Sequence, residues 1–370
     1  CRGNLVLLTG ASEAGLRNAV WSMLAIAVRS GPGLVVPRAL VIDWPSLRTR
    51  WFMEDLSRGK VPTLDSLKKM ARLLAGWKYN GFQLYIEHVF RFRAHPKIGK
   101  NASPLTADDI LALDAHCRKR HIEFVPSLAS FGHMSKVLTI PEYRHLAEDR
   151  GIGQFVKADE TIKNRKLKGW TLSPANPKIY NFLNSLYDEF LPLFSSDKFN
   201  VCCDETWDLG FGQSHELCRK KGKGRVYLGH IKRLAEICRQ RGKKMMFWGD
   251  IIRHYPKLIK SIPKDVAVGD WGYNDNPKRY KMVSDFRKAG LPFYVCPGTS
   301  SWCSLFPRIP EARGNIAGFA LAAKKNGAMG LLNTDWGDGG HPNFMEYSWH
   351  GYLFGAEQAI SVLRDSRDVR

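Results

Sequence analysis

Eight short apolar runs, separated by amphipathic stretches, constrain this 370-residue chain more than any other feature. The runs are rich in β-branched and aromatic residues: Trp51–Leu56, Phe82–Val89, Ile122–Leu128, Lys198–Cys203, Lys244–Trp248, Val266–Trp271, Pro292–Cys296 and Ala328–Asn333. Helical patterns fill the intervals at Leu64–Lys78, Ala107–Arg120, Pro177–Phe194, Val226–Arg241, Pro277–Ala289 and Asn315–Asn326, and a last one covers Tyr347–Leu363. Strand and helix signals alternating in this way predict β/α units. Eight of them in series fit an α/β fold of the (β/α)8 TIM-barrel type better than a doubly wound sheet. Ahead of them stand an apolar run at 4–8, a helical pattern from Ser12 to Val28 and a strand-like run from Leu34 to Ile42. The division expected is therefore 1–42 as the C-terminal part of a small non-catalytic α/β domain and 43–370 as the barrel. A long insertion at 131–173 follows the third run and is expected to cover the barrel mouth, with a mobile centre at 149–169.

A barrel places its chemistry at the C-terminal ends of its strands. In order, those ends read Asp55/Arg58, Glu87-His88, Ser130 to His133, Asp204-Glu205-Trp207, Trp248/Asp250, Asp270-Trp271/Tyr273, Thr299-Ser300/Trp302 and Asp335-Trp336/Asp338. Polar and aromatic residues converging on one rim are hard to explain as packing. The adjacent acids Asp204 and Glu205 are the sharpest signal. Within a strand, neighbouring side chains point to opposite faces, so both acids reach one pocket only where the strand breaks into a loop. Paired carboxylates beside an indole are how sugar hydrolases place an acid and its helper, whereas the plainer reading is an acidic cap on the next helix.

Composition narrows the partners. The formal net charge is +21, which permits polyanions, but the Lys and Arg are spread along the chain, as at Arg118-Lys119-Arg120 and Arg219-Lys220-Lys221. No nucleic-acid-binding pattern accompanies them, so a solvated basic surface is expected and no nucleic acid. The eight Cys follow no zinc spacing, and Cys202 and Cys203 read as small buried strand residues; no metal and no cofactor are expected. No stretch is long enough to span a bilayer. No signal peptide pattern is present, and the chain opens on Cys1 as if in mid-sequence. Oligomeric state is not legible.

From about Asn4 to Leu363 the chain resembles the family 20 glycoside hydrolases, the β-N-acetylhexosaminidases. Asp43-Trp44-Pro45-Ser46-Leu47-Arg48-Thr49-Arg50, with Asp55 and Arg58, is similar to their D-x-P-R-F-x-W-R-G-x-x-x-D-x-x-R segment. In that alignment Arg50 takes the place of the arginine that grips the O3 and O4 hydroxyls of the terminal sugar. Asp204-Glu205 matches the catalytic pair, Trp248 and Trp271 fall on the aromatic walls, and Trp336-Gly337-Asp338 resembles their W-x-E with Asp for Glu. There are departures. H-x-G-G-D-E appears as Asn200-Val201-Cys202-Cys203-Asp204-Glu205, and P-E-x-D-x-P-G-H as Pro126 to His133 with Ala129 at the Asp position. Their acetamido-binding Tyr on the seventh strand has no match between Tyr294 and Trp302.

The resemblance implies retaining, exo-acting removal of terminal β-linked GalNAc or GlcNAc by substrate assistance. The substrate's acetamido oxygen attacks the anomeric carbon, Asp204 orients the acetamido, and Glu205 serves as acid and then base, for which a raised pKa is expected. Substrate contacts are assigned to Arg50, Glu87, Trp248, Trp271, Trp302, Trp336 and Asp338. The shorter Asp338 predicts discrimination between the two sugars with a lean to the galactose type. His133 reads as structural, Trp207 as lid packing or pocket wall, and His341 and His350 as surface or core. Two alternatives stay open: a carbohydrate-binding pseudoenzyme on the same barrel, and a polyanion-binding protein.

Overall fold

In the computed structural model the described residues are 5–149 and 169–362. Eight parallel strands form one sheet: β1 (Thr49–Asp55), β2 (Gly81–Tyr85), β3 (Glu123–Val125), β4 (Lys198–Asn200), β5 (Lys244–Trp248), β6 (Ala267–Trp271), β7 (Phe293–Cys296) and β8 (Gly330–Asp335). Except for β3 and β4, each pairs with its neighbour in sequence, and β8 returns to β1 with Gly330 opposite Thr49. The last seam, between β3 and β4, is closed just beyond β3 by hydrogen bonds from Asn200 N to Pro126 O (2.9 Å) and from Leu128 N to Asn200 O (3.0 Å). The sheet is thus a closed barrel.

The helices start where the chain supplies a cap. Thr63 caps Leu64–Gly76, and Thr106 with Asp109 forms a capping box ahead of Ala107–Arg118. Gly327, at φ 62°, ends Ile309–Asn326 in the left-handed region where a Cβ would be strained. One expected helix is broken in two, at Pro277–Lys281 and Ser284–Lys288. There the Ser284 hydroxyl donates to Lys281 O and Asp285 N bonds Met282 O, tightening the turn and interrupting the α ladder.

The N-terminal segment is sparser than expected. Its helix spans Glu13–Ile26, and the strand-like run shrinks to Gly33–Val35, paired antiparallel with Val28–Ser30; 5–8 and 36–42 carry no regular element. The Lys78 ammonium ties this segment to the barrel through Ser22 Oγ (2.7 Å) and Asp43 (2.8 Å). The centre of the 131–173 insertion, where mobility is expected, lies outside the described residues from 150 to 168.

Two apolar clusters hold the barrel. One lies between strands and helices; the other fills the interior with Trp51, Met53, Tyr85, Val125, Cys202, Met246, Trp248, Tyr294, Cys296, Leu332 and Trp336. Trp51 stacks on Tyr294 at 4.9 Å, and Trp248 and Trp336 meet at 6.2 Å nearer the C-terminal end. Large rings facing inward on alternate strand positions leave a packed core below and an aromatic floor above.

Candidate active site

Strand β4 stops at Asn200, three residues short of the expected Cys203. Asn200 Oδ1 accepts from Cys202 N (3.0 Å), and the next two residues turn left-handed, with φ 60° at Cys202 and 69° at Cys203; Glu205 follows at 49°. Cys202 and Cys203 are thus loop residues in a strained conformation rather than strand neighbours. This twist breaks the two-residue alternation and brings two adjacent acids to one side. This loop is pressed from above: a Cβ on Gly132 would lie 2.2 Å from Asp204 O.

His133 sits between the acids and the opposite wall. Its Nε2 approaches Asp204 Oδ2 at 3.3 Å and Glu205 Oε2 at 3.2 Å, and its Nδ1 approaches Arg58 Nη2 at 3.2 Å and Glu87 Oε1 at 3.4 Å. Read along the chain this histidine is structural; the fold makes it the hub. Burial alone pulls its pKa down, but the charge of Asp204 and hydrogen bonding to Asp204, Glu205 and Glu87 raise it well above the usual imidazole value. For Glu205 burial pushes up, yet bonding and charge from His133, with Trp207 and Arg58, hold its pKa below the ordinary carboxylate value. The expectation of a raised Glu205 pKa is therefore corrected: the imidazolium outweighs both burial and the neighbouring acid.

Arg50 is a second correction. It stands near the start of β1, and its guanidinium donates to three main-chain carbonyls, Leu47 (3.2 Å), Arg48 (3.0 Å) and Lys78 (2.8 Å). At about 3.3 Å per residue, the five residues from Arg50 to Asp55 put it roughly 16 Å below the rim. The rim arginine is Arg58. It pairs with Glu87, approaches Asp55 (4.0 Å) and Asp338 (3.7 Å), and its ring-facing side lies over Tyr85. Asp55 in turn accepts from Ser57 N (2.8 Å) and Gly337 N (3.0 Å), tying the β1 and β8 mouth loops together. Burial lifts the Asp55 pKa to about 6 against the pull of Arg58.

Several indoles gather at the mouth around Tyr273. Trp336 Nε1 donates to the Tyr273 hydroxyl (2.5 Å); Tyr273 stacks on Trp271 (5.2 Å) and meets Trp302 edge-on (4.8 Å). Trp248 is fully buried, and its Nε1 has no protein partner among the described residues. Asp338 is about half exposed (47%), while Glu87 is buried against Arg58 and the Tyr85 hydroxyl (3.2 Å). Asp204 is buried, and its Oδ1 accepts no hydrogen bond among the described residues. Asp250 Oδ2 holds Glu205 N (2.9 Å), and Trp170 donates to Glu205 O (2.6 Å) while packing on His133 (4.5 Å). Nothing in the sequence marked Trp170, which enters from the far end of the insertion. Arg58 was legible, since it follows the first run where Arg50 precedes it. His341 is buried beside the β8 mouth loop, where its backbone N–H donates to Gly337 O (2.8 Å), and His350 is half-buried with its Nδ1 3.0 Å from Tyr347 O.

Vicinal carboxylates facing an aromatic floor at the C-terminal mouth of a parallel barrel define a class, the glycoside hydrolases. The family is set by comparison: residues 49–302 match the model for the catalytic domain of glycosyl hydrolase family 20, and the chain belongs to that family. It is 24% identical over 297 residues to a β-hexosaminidase of Vibrio furnissii, covering 72% of this chain and 46% of that protein. It is 21% identical over 247 residues to human hexosaminidase D, covering 64% of this chain and 48% of the relative. The chain spans about half the length of these relatives. Among solved structures, Flavobacterium johnsoniae chitobiase superposes with a TM-score of 0.73 at 22% identity, covering 93% of this chain and 53% of the other. A family 20 exo-β-N-acetylglucosaminidase from Vibrio harveyi, in complex with N-acetylglucosamine, gives 0.71 at 16%, covering 96% and 61%.

Proposed function

We propose that this protein is a retaining exo-β-N-acetylhexosaminidase acting on glycans that end in β-linked GalNAc or GlcNAc, with residues 43–370 as the catalytic barrel and 1–42 as the end of a small non-catalytic domain. The observation that carries this reading is the Asp204–Glu205 turn: two adjacent acids on one side, one with a buried oxygen that accepts nothing from the described residues. Such a pair suits an acid beside a helper better than an acid facing a nucleophile across the scissile bond. The substrate's acetamido oxygen is the nucleophile. It forms a bond to the anomeric carbon as the glycosidic bond breaks, giving an oxazolinium ion, while Asp204 accepts the acetamido N–H. Glu205 delivers a proton to the leaving oxygen, drawing on the pair it makes with His133, and recovers one from the water that opens the oxazolinium. Trp248, Trp271, Trp302, Trp336 and Tyr273 wall the ring, and Arg58 with Asp338 holds its hydroxyls.

The test is a paired assay on 4-nitrophenyl N-acetyl-β-glucosaminide and -galactosaminide. Hydrolysis of at least one with retention is expected; inertness towards both overturns the reading in favour of a pseudoenzyme. Because Asp338 reaches less far than a glutamate would, the two kcat/KM values are expected to differ, with the galactose type slightly ahead; equal values refute discrimination.

The two arginines separate cleanly. Arg58→Ala is expected to lose about 2–4 kcal/mol in kcat/KM, from lost hydroxyl bonds and an unpaired Glu87. Arg50→Ala is expected to lower the melting temperature through its lost carbonyl bonds while leaving kcat/KM within about threefold. Equal kinetic losses at unchanged stability would restore Arg50 to the sugar.

A further inference from the structure

A separate cluster of charge lies on the opposite face of β6 from Trp271. Alternation along the strand turns Trp271 towards the interior aromatics and Asp270, fully buried, outward under the helices. Two arginines reach the same oxygen of that carboxylate. Arg253, from the short helix Asp250–Arg253 after β5, and Arg279, from Pro277–Lys281 after β6, both bring Nη2 to Asp270 Oδ1. Two guanidiniums against one carboxylate leave one positive charge unbalanced. We propose that Arg253 and Arg279 hold a small monovalent inorganic anion, of the chloride type, on this outer face of β6.

The donors for such an anion are present. Arg253 Nε and Nη1 and Arg279 Nη1 are buried and have no hydrogen-bond partner among the described residues. The two side chains are only 11% and 17% exposed, so bulk water screens them little. A guanidinium can only donate, and a buried donor without an acceptor is costly. Aromatic rings cover the flat faces of both groups: Arg253 Cζ stands 4.9 Å from the Phe286 centroid and Arg279 Cζ 5.2 Å from that of Phe319. Ring faces attract a cation but leave the in-plane N–H groups for another acceptor. Gly272 makes room for the arrangement, since a Cβ there would lie 2.8 Å from Arg279 Nε.

Neighbouring acids do not supply the missing charge. Asp285 acts on Arg253, but it is 44% exposed and lies 3.7 Å from Lys288; Asp275 is engaged by the Tyr280 hydroxyl (2.9 Å). Burial lowers the Arg253 pKa despite the charge of Asp270, as befits a cation short of counter-charge. One arginine could swing to Asp270 Oδ2, which has no partner among the described residues either, but two cations would still share one anion. Between 251 and 290 nine Lys and Arg stand against four Asp, so the surrounding surface concentrates anions. A single unbalanced charge in a largely buried setting suits chloride. A sulfate or phosphate dianion would reverse the imbalance instead of closing it.

The bound anion acts on the barrel mouth through the backbone. Arg279 Nη2 also donates to Trp271 O, Trp271 stacks on Tyr273 (5.2 Å), and Tyr273 takes the Trp336 Nε1–H. Fixing Arg279 therefore steadies the aromatic wall from behind. Binding itself does not depend on the reaction proposed above.

Thermal unfolding of the full chain, followed as chloride replaces methanesulfonate at constant ionic strength, tests the site. A saturable rise in Tm of about 2–4 °C is expected, given by bromide as well and not by sulfate. Arg253→Gln removes the unbalanced charge, leaves the Asp270–Arg279 pair, and should abolish the rise. Equal stability in the two salts overturns the proposal, and so does a rise that Arg253→Gln keeps in full. A rise produced by sulfate in place of chloride overturns the monovalent assignment. Wild-type crystals grown in bromide give a readout that needs no variant, an anomalous peak within hydrogen-bonding reach of both arginines. No peak there, at bromide above the midpoint of the stabilisation, removes the anion from this pair even if Tm rises. Should Arg253→Gln not fold, that map decides alone.

Discussion

Glu205→Gln is expected to lower kcat on an unactivated N-acetylhexosaminide by about 10²–10⁴-fold, the range of a positioned general acid. The loss should shrink as the leaving group becomes more acidic, because a 2,4-dinitrophenolate departs without a proton. Glutamine keeps the volume and the acceptor towards His133 and removes only the proton that can be delivered. The structure adds a pH component. With the His133 pKa raised and Glu205 held below the ordinary carboxylate value, the alkaline limb of the wild-type profile should follow the histidine. The sign is fixed by the direction of the shift: activity is present while His133 is protonated and fades as pH rises through its raised pKa. Near wild-type turnover of Glu205→Gln on a natural glycan would remove Glu205 from the acid's role.

Asp204→Ala is expected to cost about 10²–10³-fold in kcat, as for loss of a preorganised group at developing charge, with a smaller change in KM. Its free oxygen is buried and accepts nothing from the described protein, so an acetamido N–H would meet a site already desolvated and aimed. A thiazoline mimic of the oxazolinium should bind wild type far more tightly than the substrate, and Asp204→Ala should abolish that advantage. Trapping a covalent sugar–protein adduct would refute substrate assistance; a thiazoline that binds no better than the free sugar would do the same.

Direction along a strand separates the two arginines that the motif places side by side. Read as spacing, Arg50 and Arg58 are both candidates for a sugar hydroxyl. Read as a strand running from Thr49 to Asp55, they stand at opposite ends, and only Arg58 emerges where β2 and β8 deliver Glu87 and Asp338. The rule that chemistry gathers at C-terminal ends was available from the eight runs, and it favours Arg58. Tyr273 is a related case. It was on the rim by that rule, but its bond to Trp336 depends on how β6 and β8 lean together across the mouth.

What the sequence determined was the order of strands and helices, hence the barrel, and the set of residues delivered to its rim. Hydrophobic periodicity and strand polarity are local properties, and local properties survive in a linear reading. Tertiary structure decided the rest. It turned Cys202 and Cys203 left-handed, so that two neighbouring acids share one pocket, and set His133 from the third loop between acids of the second and fourth. Protonation followed from that meeting. The charge state of Glu205 depends on an imidazole 72 positions away, and Coulomb energy runs on distances through space, which spacing along the chain does not encode.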